Sequence, residues 1–172
     1  MPKGLKQSSS IIVVGARVVE SAQNTFTEER VDLQLNPLDN EVFVVLGVNL
    51  DVGAPDLKAG GNSSTIMTMT TTSQTDLPTL NETAVLAKAE KAIRGDSDTS
   101  DVAVAFQEQF AETPPSSMLE YIGIIATNDF FLQIQGNTNS TAKTGSAKVY
   151  GYRAVADAST YAALVQSEVL SS

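Results

Sequence analysis

Residues 41–61, EVFVVLGVNLDVGAPDLKAGG, begin with the alternation of a β-strand. All even positions from Val42 to Val52 are apolar, and side chains two residues apart share one face of a strand. The odd positions start apolar with Phe43 and Val45 and then become small or polar. The pattern predicts a strand with one continuous apolar face, and a second face that is covered in its first half and solvated in its second half.

Seven further segments have the β-branched content or the period-two alternation of strands. They span residues 8–20, 25–35, 64–73, 102–110, 119–127, 129–136 and 147–155. The polar residues between the last two, 137–146, predict an exposed loop.

Two short connections predict which strands pair. The turn-forming residues NPLDN at 36–40 predict that 25–35 lies antiparallel to the strand beginning at 41, although a five-residue connection also allows other pairings. Asn128 and Asp129 tolerate the left-handed conformations of tight turns, so they predict a hairpin between the segments that flank them.

Two segments, 81–94 and 157–170, have apolar residues at helical spacing. These residues are Leu86, Ala89, Ala92 and Ile93 in the first segment and Tyr161, Leu164, Val165 and Val169 in the second. Eight strands with one inserted and one C-terminal helix predict an all-β protein, an eight-stranded antiparallel β-sandwich. A jelly roll is the leading topology, and an immunoglobulin-like sandwich is the alternative.

The 172 residues suit a single domain, which we place at 11–172 behind a flexible N-terminal arm at 1–10. No apolar run approaches the ~20 residues of a membrane helix, and the run after the arm is too short for a secretory signal. We therefore expect a soluble protein that keeps its N-terminus.

The composition disfavours most catalytic chemistry. Cys and His are both absent, which removes disulfides, thiolate nucleophiles and the commonest acid-base and metal-binding side chain. The 20 acidic and 11 basic residues give a negative body that repels nucleic acid. We expect no enzyme, no organic cofactor and no sequence-specific nucleic-acid binding.

One cluster of carboxylates could hold a cation. Asp96, Asp98 and Asp101 lie within six residues, and oxygen ligands suit calcium, although the spacing does not match the helix-loop-helix calcium motif. A solvated loop is the alternative reading.

The N-terminal segment has the features of an assembly arm. Lys3 and Lys6 make it locally basic, while Leu5, Ile11 and Ile12 supply apolar side chains. Such a segment could contact an anionic surface or reach along a neighbouring subunit, and a merely solvated terminus is the alternative.

Three segments give the chain a family resemblance. They are RVDLQLNPLDNEVFVVLGVNLD, EYIGIIATNDFFLQIQG and KVYGYRAVADASTYAALVQSEV. Read end to end, residues 11–170 resemble the single jelly-roll major capsid proteins of tailless icosahedral viruses, including marine viruses. The chain departs from the family in its charge: many such coat proteins have strongly basic N-terminal arms, whereas this chain has more acidic than basic residues.

The resemblance implies a viral coat subunit located in the virion. It also implies that the even positions from Val42 to Val52 fill the space between two sheets, with Phe43 and Val45 against the terminal helix or a neighbouring subunit. The partners of the subunit would be copies of itself, other virion proteins and, through the arm, an internal membrane or the genome. Two other classes stay open: a filament subunit that polymerises by strand addition, and a carbohydrate-binding β-sandwich module.

Overall fold

The computed structural model of the chain describes residues 3–58, 60–95, 103–109 and 119–170, and for 103–109 it describes the backbone alone. The described residues form ten strands and one α-helix. The strands are β1 (Leu5–Gln7), β2 (Ile12–Val19), β3 (Thr27–Asp32), β4 (Glu41–Val52), β5 (Ser63–Thr70), β6 (Val85–Gly95), β7 (Ala103–Gln109), β8 (Gly123–Ile125), β9 (Asp129–Asn137) and β10 (Thr144–Ala156). The helix α1 spans Ala158–Leu170, and a 3₁₀ turn spans Pro37–Asp39.

The strands form two antiparallel five-stranded sheets. Sheet A has the order β10, β4, β8, with β1 and β2 both pairing along the other edge of β10. Sheet B has the order β3, β9, β5, β6, β7. The main core consists of apolar residues from both sheets, including Val149 of β10, Met67 of β5 and Leu132 of β9, all fully buried. The predicted mainly-β antiparallel sandwich with a C-terminal helix is confirmed.

The strand pairs are nested along the chain. β2 pairs with β10, β3 with β9, β4 with β8, and β5 with β6, so each pair encloses the next in sequence. Successive pairs alternate between sheet A and sheet B. The chain is therefore one long hairpin folded over itself, which is consistent with a jelly roll.

A β-bulge at Leu46 reverses the sides of β4. Tyr150 lies opposite Gly47 and Gly151 lies opposite Val45, so Leu46 is the extra residue. Before the bulge Phe43 and Val45 point into the main core. After it the even positions do so, namely Val48, Leu50 and Val52.

The prediction for the first half of β4 is therefore wrong. Val42 and Val44 face away from sheet B and belong to a second apolar cluster under α1, together with Leu164 and Val165 of the helix. In the first half of β4 the residues on both faces are apolar. The even positions therefore look like one continuous apolar face in the sequence, which hides the bulge.

The inserted helix predicted at 81–94 is also wrong. Val85–Gly95 is the strand β6, paired with β5 on one side and β7 on the other. Ala87 and Ala89 lie opposite the core residues Met69 and Met67, where small side chains fit beside long ones. Pairing on both edges outweighs the high helix propensity of the alanine and lysine residues.

Both predicted hairpins are crossovers between the sheets. β3 lies in sheet B and β4 in sheet A, and the 3₁₀ turn connects them. β8 lies in sheet A and β9 in sheet B. Asn128 has a different role from the expected hairpin turn: its backbone and side-chain oxygens accept the N–H groups of Leu33 (2.8 Å) and Leu35 (2.5 Å).

A charge at Val44 should prevent folding. Val44 is fully buried under α1, and an unpaired carboxylate there costs several kcal/mol against a typical stability of ~5 to 15 kcal/mol. Val44→Asp should lose the cooperative urea transition seen by circular dichroism. Asn49→Asp, at an exposed position of the same strand, is the control and should unfold within about 0.5 kcal/mol of the parent. A stable Val44→Asp variant would contradict the burial of Val44.

Candidate assembly surface

The N-terminal segment is fixed to its own domain. Gly4 has a φ of +81°, and a Cβ there would lie 2.6 Å from Oγ1 of Thr160, so this position requires glycine. The N–H of Asp157 donates to the carbonyl of Gly4 (3.1 Å), at the start of α1. Leu5 is buried in the apolar cluster under the helix. Residues 5–7 thus form a strand of sheet A, where the sequence predicted part of a flexible arm.

The five predicted arm residues fall into two groups. Lys3, Lys6 and Ile11 face solvent, and Ile11 is 64% exposed. Leu5 is buried, and Ile12 is half-buried against the main core. The structure does not bring these five residues together as one surface.

Strand β2 has one open edge among the described strands. It pairs with β10 over its whole length, from Ile12 opposite Gly151 to Val19 opposite Thr144, and with no other described strand. The N–H of Glu20 donates to the carbonyl of Lys143 (2.9 Å). Hydrogen-bonded and non-hydrogen-bonded positions alternate in an antiparallel pair. Even-numbered residues of β2 therefore bond to β10, and odd-numbered ones direct their N–H and C=O to the open edge.

The exposed face of β2 is unusually apolar. Its exposed positions are Val13, Gly15, Arg17 and Val19. Val13 and Val19 are 52% and 47% exposed. Native edge strands commonly have charges or proline that prevent pairing with other chains, and β2 has only Arg17. The sequence marked this segment as a strand but could not show that it forms an edge.

The outer face of sheet A is only half covered. Helix α1 lies over the end that contains Val44 and Ala154. The other end presents small and polar residues of β4 and β10 around a shallow groove of about 390 Å³. Its lining residues are Gly15, Ala16, Asn49, Asp51, Ser146, Ala147 and Lys148. This is why the second half of β4 can be polar on one side.

A buried carboxylate holds the end of β2. Glu20 is 3% exposed, and its two oxygens accept the N–H groups of Gly136 (2.5 Å) and Lys143 (2.7 Å). Gly136 belongs to β9, and Lys143 to the connection between β9 and β10. The hydrogen bonds fix the connection after β2 and prevent that end of the strand from separating.

The segment 137–146, predicted as an exposed loop, is partly buried. Asn139 is 4% exposed, and its side chain accepts the N–H of Asp56 and donates to the carbonyl of Ser64. Lys143 is also buried, and its Nζ lies 2.5 Å from the Asp56 carboxylate. The hydrogen bond from Lys143 lowers the pKa of Asp56 to about 2. Sequence polarity alone could not distinguish this network from a solvated loop.

A second buried carboxylate holds the helix. Glu168 of α1 accepts the N–H groups of Ala126 (2.8 Å) and Thr127 (3.1 Å). Burial raises the pKa of Glu168, while the hydrogen bonds from Thr127 and Ala126 oppose that rise. The adjacent groove, about 450 Å³, lies between the end of α1 and the edge strand β8. Glu168 thus has a positioning role rather than the geometry of an acid-base pair.

The predicted cation site cannot be placed. Asp96, Asp98 and Asp101 lie outside the described residues. Among the residues that the structure does describe, no group of three or more carboxylate side chains is arranged to hold a metal ion. In the same part of the chain, no helix is long and apolar enough to cross a membrane.

Comparison with known proteins finds no matching protein-family model and no similar curated sequence. The function is therefore inferred from the surface. The most distinctive surface feature of the described residues is the open, apolar edge formed by β2.

The Asp56–Lys143 contact should make stability depend on pH. The folded pKa of Asp56 (about 2) is below its ordinary value of 3.8. The stabilisation by the Asp56–Lys143 contact is therefore fully present above pH 3.8 and is lost as the pH falls through 2. Asp56→Asn should lower the melting temperature at pH 6, and the difference from the parent should shrink towards pH 2. Asp76→Asn, in an exposed loop, controls for the loss of one negative charge. A difference that does not change with pH would refute this role.

Proposed function

We propose that the protein is a structural subunit that assembles with copies of itself, as the coat protein of a virion shell. The open edge of β2 supports this proposal most directly. It combines backbone groups that pair with no described strand and exposed valines at 13 and 19. Monomeric proteins usually protect such an edge, whereas an assembling subunit needs one.

The nested strand pairing also supports a shell subunit. It is consistent with the jelly roll expected from the resemblance to single jelly-roll capsid proteins. Two further elements are held to sheet A: β1 pairs with β10, and α1 packs on the outer face of the sheet. A rigid block of this kind can keep its shape while its edges make contacts with neighbours.

The buried and part-buried carboxylates support a structural role over a catalytic one. Glu20, Glu28 and Glu168 each accept two or more hydrogen bonds from groups that join separate segments. Glu28, for example, accepts from Ser73 and Gln74 and so holds residues 73–74 against sheet B. The grooves beside α1 and beside β2 are each lined by a single carboxylate, Glu168 in the first and Asp51 in the second, whereas a glycosidase needs two carboxylates flanking its cleft.

The structure argues against donation of β2 to a neighbouring subunit. Eight residues of the strand already pair with β10, and Val18 is 2% exposed in the main core. Leaving the sheet would expose Val18 and break the hydrogen bond from Glu20 N–H. The free edge favours contacts in which β2 stays in place. For Lys3 and Lys6 we propose at most a minor contact with an anionic membrane or genome.

The purified full-length chain should form closed particles as its concentration rises. Apolar burial at ~25 cal/mol per Å² stabilises the contacts, and the two-fold and other rotations of a closed shell limit growth. Negative-stain electron microscopy and sedimentation velocity would detect the particles. A protein that stays monomeric at every concentration and salt tested would overturn the proposal, and threads would point to a filament subunit.

A further inference from the structure

The sequence of the open edge is nearly symmetric about Ala16. Residues 13–19 read VVGARVV, so that only Gly15 and Arg17 differ between the two directions. A two-fold axis between antiparallel strands places each residue opposite its mirror position. The symmetry is therefore the pattern expected of a strand that pairs with a second copy of itself.

We propose that β2 pairs with β2 of a second copy across a two-fold axis at Ala16. Val13 of each copy then lies opposite Val19 of the other, and Gly15 lies opposite Arg17. The two A sheets become one continuous sheet. The inference rests on the proposed assembly function and names one of its contacts.

The backbone geometry suits this register. The odd-numbered residues direct their N–H and C=O groups outward, as the Glu20–Lys143 hydrogen bond establishes. In the proposed register odd residues of one copy lie opposite odd residues of the other. Four hydrogen-bonded pairs would form, about eight backbone hydrogen bonds in all. Ala16 would face its own symmetry mate at a non-hydrogen-bonded position.

The exposed side chains select the same register. Val13 and Val19, about half exposed in the single chain, would cover each other as cross-strand pairs. Gly15 leaves room for the Arg17 side chain opposite it. A shift by two residues in one direction would place Arg17 against Arg17, which is unfavourable for like charges. The opposite shift would place Val13 against Arg17, and it would replace the Val13–Val19 pair within β2 by one between Val19 and Ile11, the residue before the strand.

Cysteine crosslinking tests the register directly, because the chain contains no Cys. One preparation contains Val13→Cys and the other, with an affinity tag of different mass, contains Val19→Cys. Mixed before assembly and oxidised mildly, they should give disulfide-linked heterodimers on a non-reducing gel, since opposed Cα atoms lie ~5.5 Å apart. Each variant alone should give little dimer, because positions 13 and 13 lie six residues apart along the strand, ~20 Å.

Charge substitutions at the same exposed positions give an independent measurement. Val13→Lys with Val19→Lys places like charges opposite each other and should raise the concentration needed for assembly by about tenfold. Val13→Lys with Val19→Glu places opposite charges together and should restore assembly to within about threefold of the parent. Both double variants should keep the parent circular dichroism spectrum, since positions 13 and 19 lie outside the core.

The outcomes separate this contact from the function on which it rests. If particles form without the disulfide between positions 13 and 19, the two-fold contact is wrong while self-assembly stands. The same conclusion follows if both charge variants weaken assembly equally. Strong crosslinking of Val13→Cys with itself would show a different register and also overturn it. A parent chain that never leaves the monomer would overturn the contact and the proposed function together.

Discussion

The pairing of β10 with strands on both of its edges is the interaction on which the rest of the structure depends. β10 pairs with β4 on one side and with β1 and β2 on the other. It therefore joins the first strands of the chain to its last, which closes the nested hairpin. The chain then continues into α1, whose apolar side chains cover Val42, Val44 and Ala154 on the outer face of sheet A. Loss of β10 would remove the partner of β2 and the support for the helix at once.

The bulge opposite β10 explains why β4 can serve two cores. Without an extra residue, a strand presents the same alternate positions to one side along its whole length. Leu46 breaks that rule, so Phe43 and Val48 both face sheet B although their spacing is odd. Gly151 permits the close approach, since a Cβ there would lie within 2.6 Å of the Phe43 ring. One strand thus supplies the main core along its whole length and the helix-covered cluster in its first half.

The sequence predicted the strands more reliably than their partners. Alternation and β-branched content are local properties, so segments such as β4, β5 and β10 could be located within a few residues of their ends. Pairing is not local: the residues after β3 and after β8 form turns of the expected composition, yet both turns cross between sheets. For residues 81–94 the type of secondary structure was itself predicted wrongly, because strand pairing on both sides outweighs the helical spacing of the apolar residues. The buried roles of Glu20 and Asn139 had no sequence signal, because the backbone groups to which their side chains bond lie 75 to 123 residues away along the chain.

The open edge of β2 follows from the same topology. In a nested arrangement the outermost pair joins the first and last long strands, and β10 uses its other edge for β4, so β2 ends sheet A among the described strands. A strand in that position has only its side chains to prevent uncontrolled pairing. Arg17 would oppose pairing in the register that places it opposite the Arg17 of a second copy. In the proposed register Arg17 would lie opposite Gly15, which leaves room for its side chain. In the proposed contact, Arg17 therefore disfavours one register without closing the edge, and this distinguishes a specific contact from simple aggregation. Because the residues involved are exposed, contact between subunits can change while the buried cores of the domain stay the same.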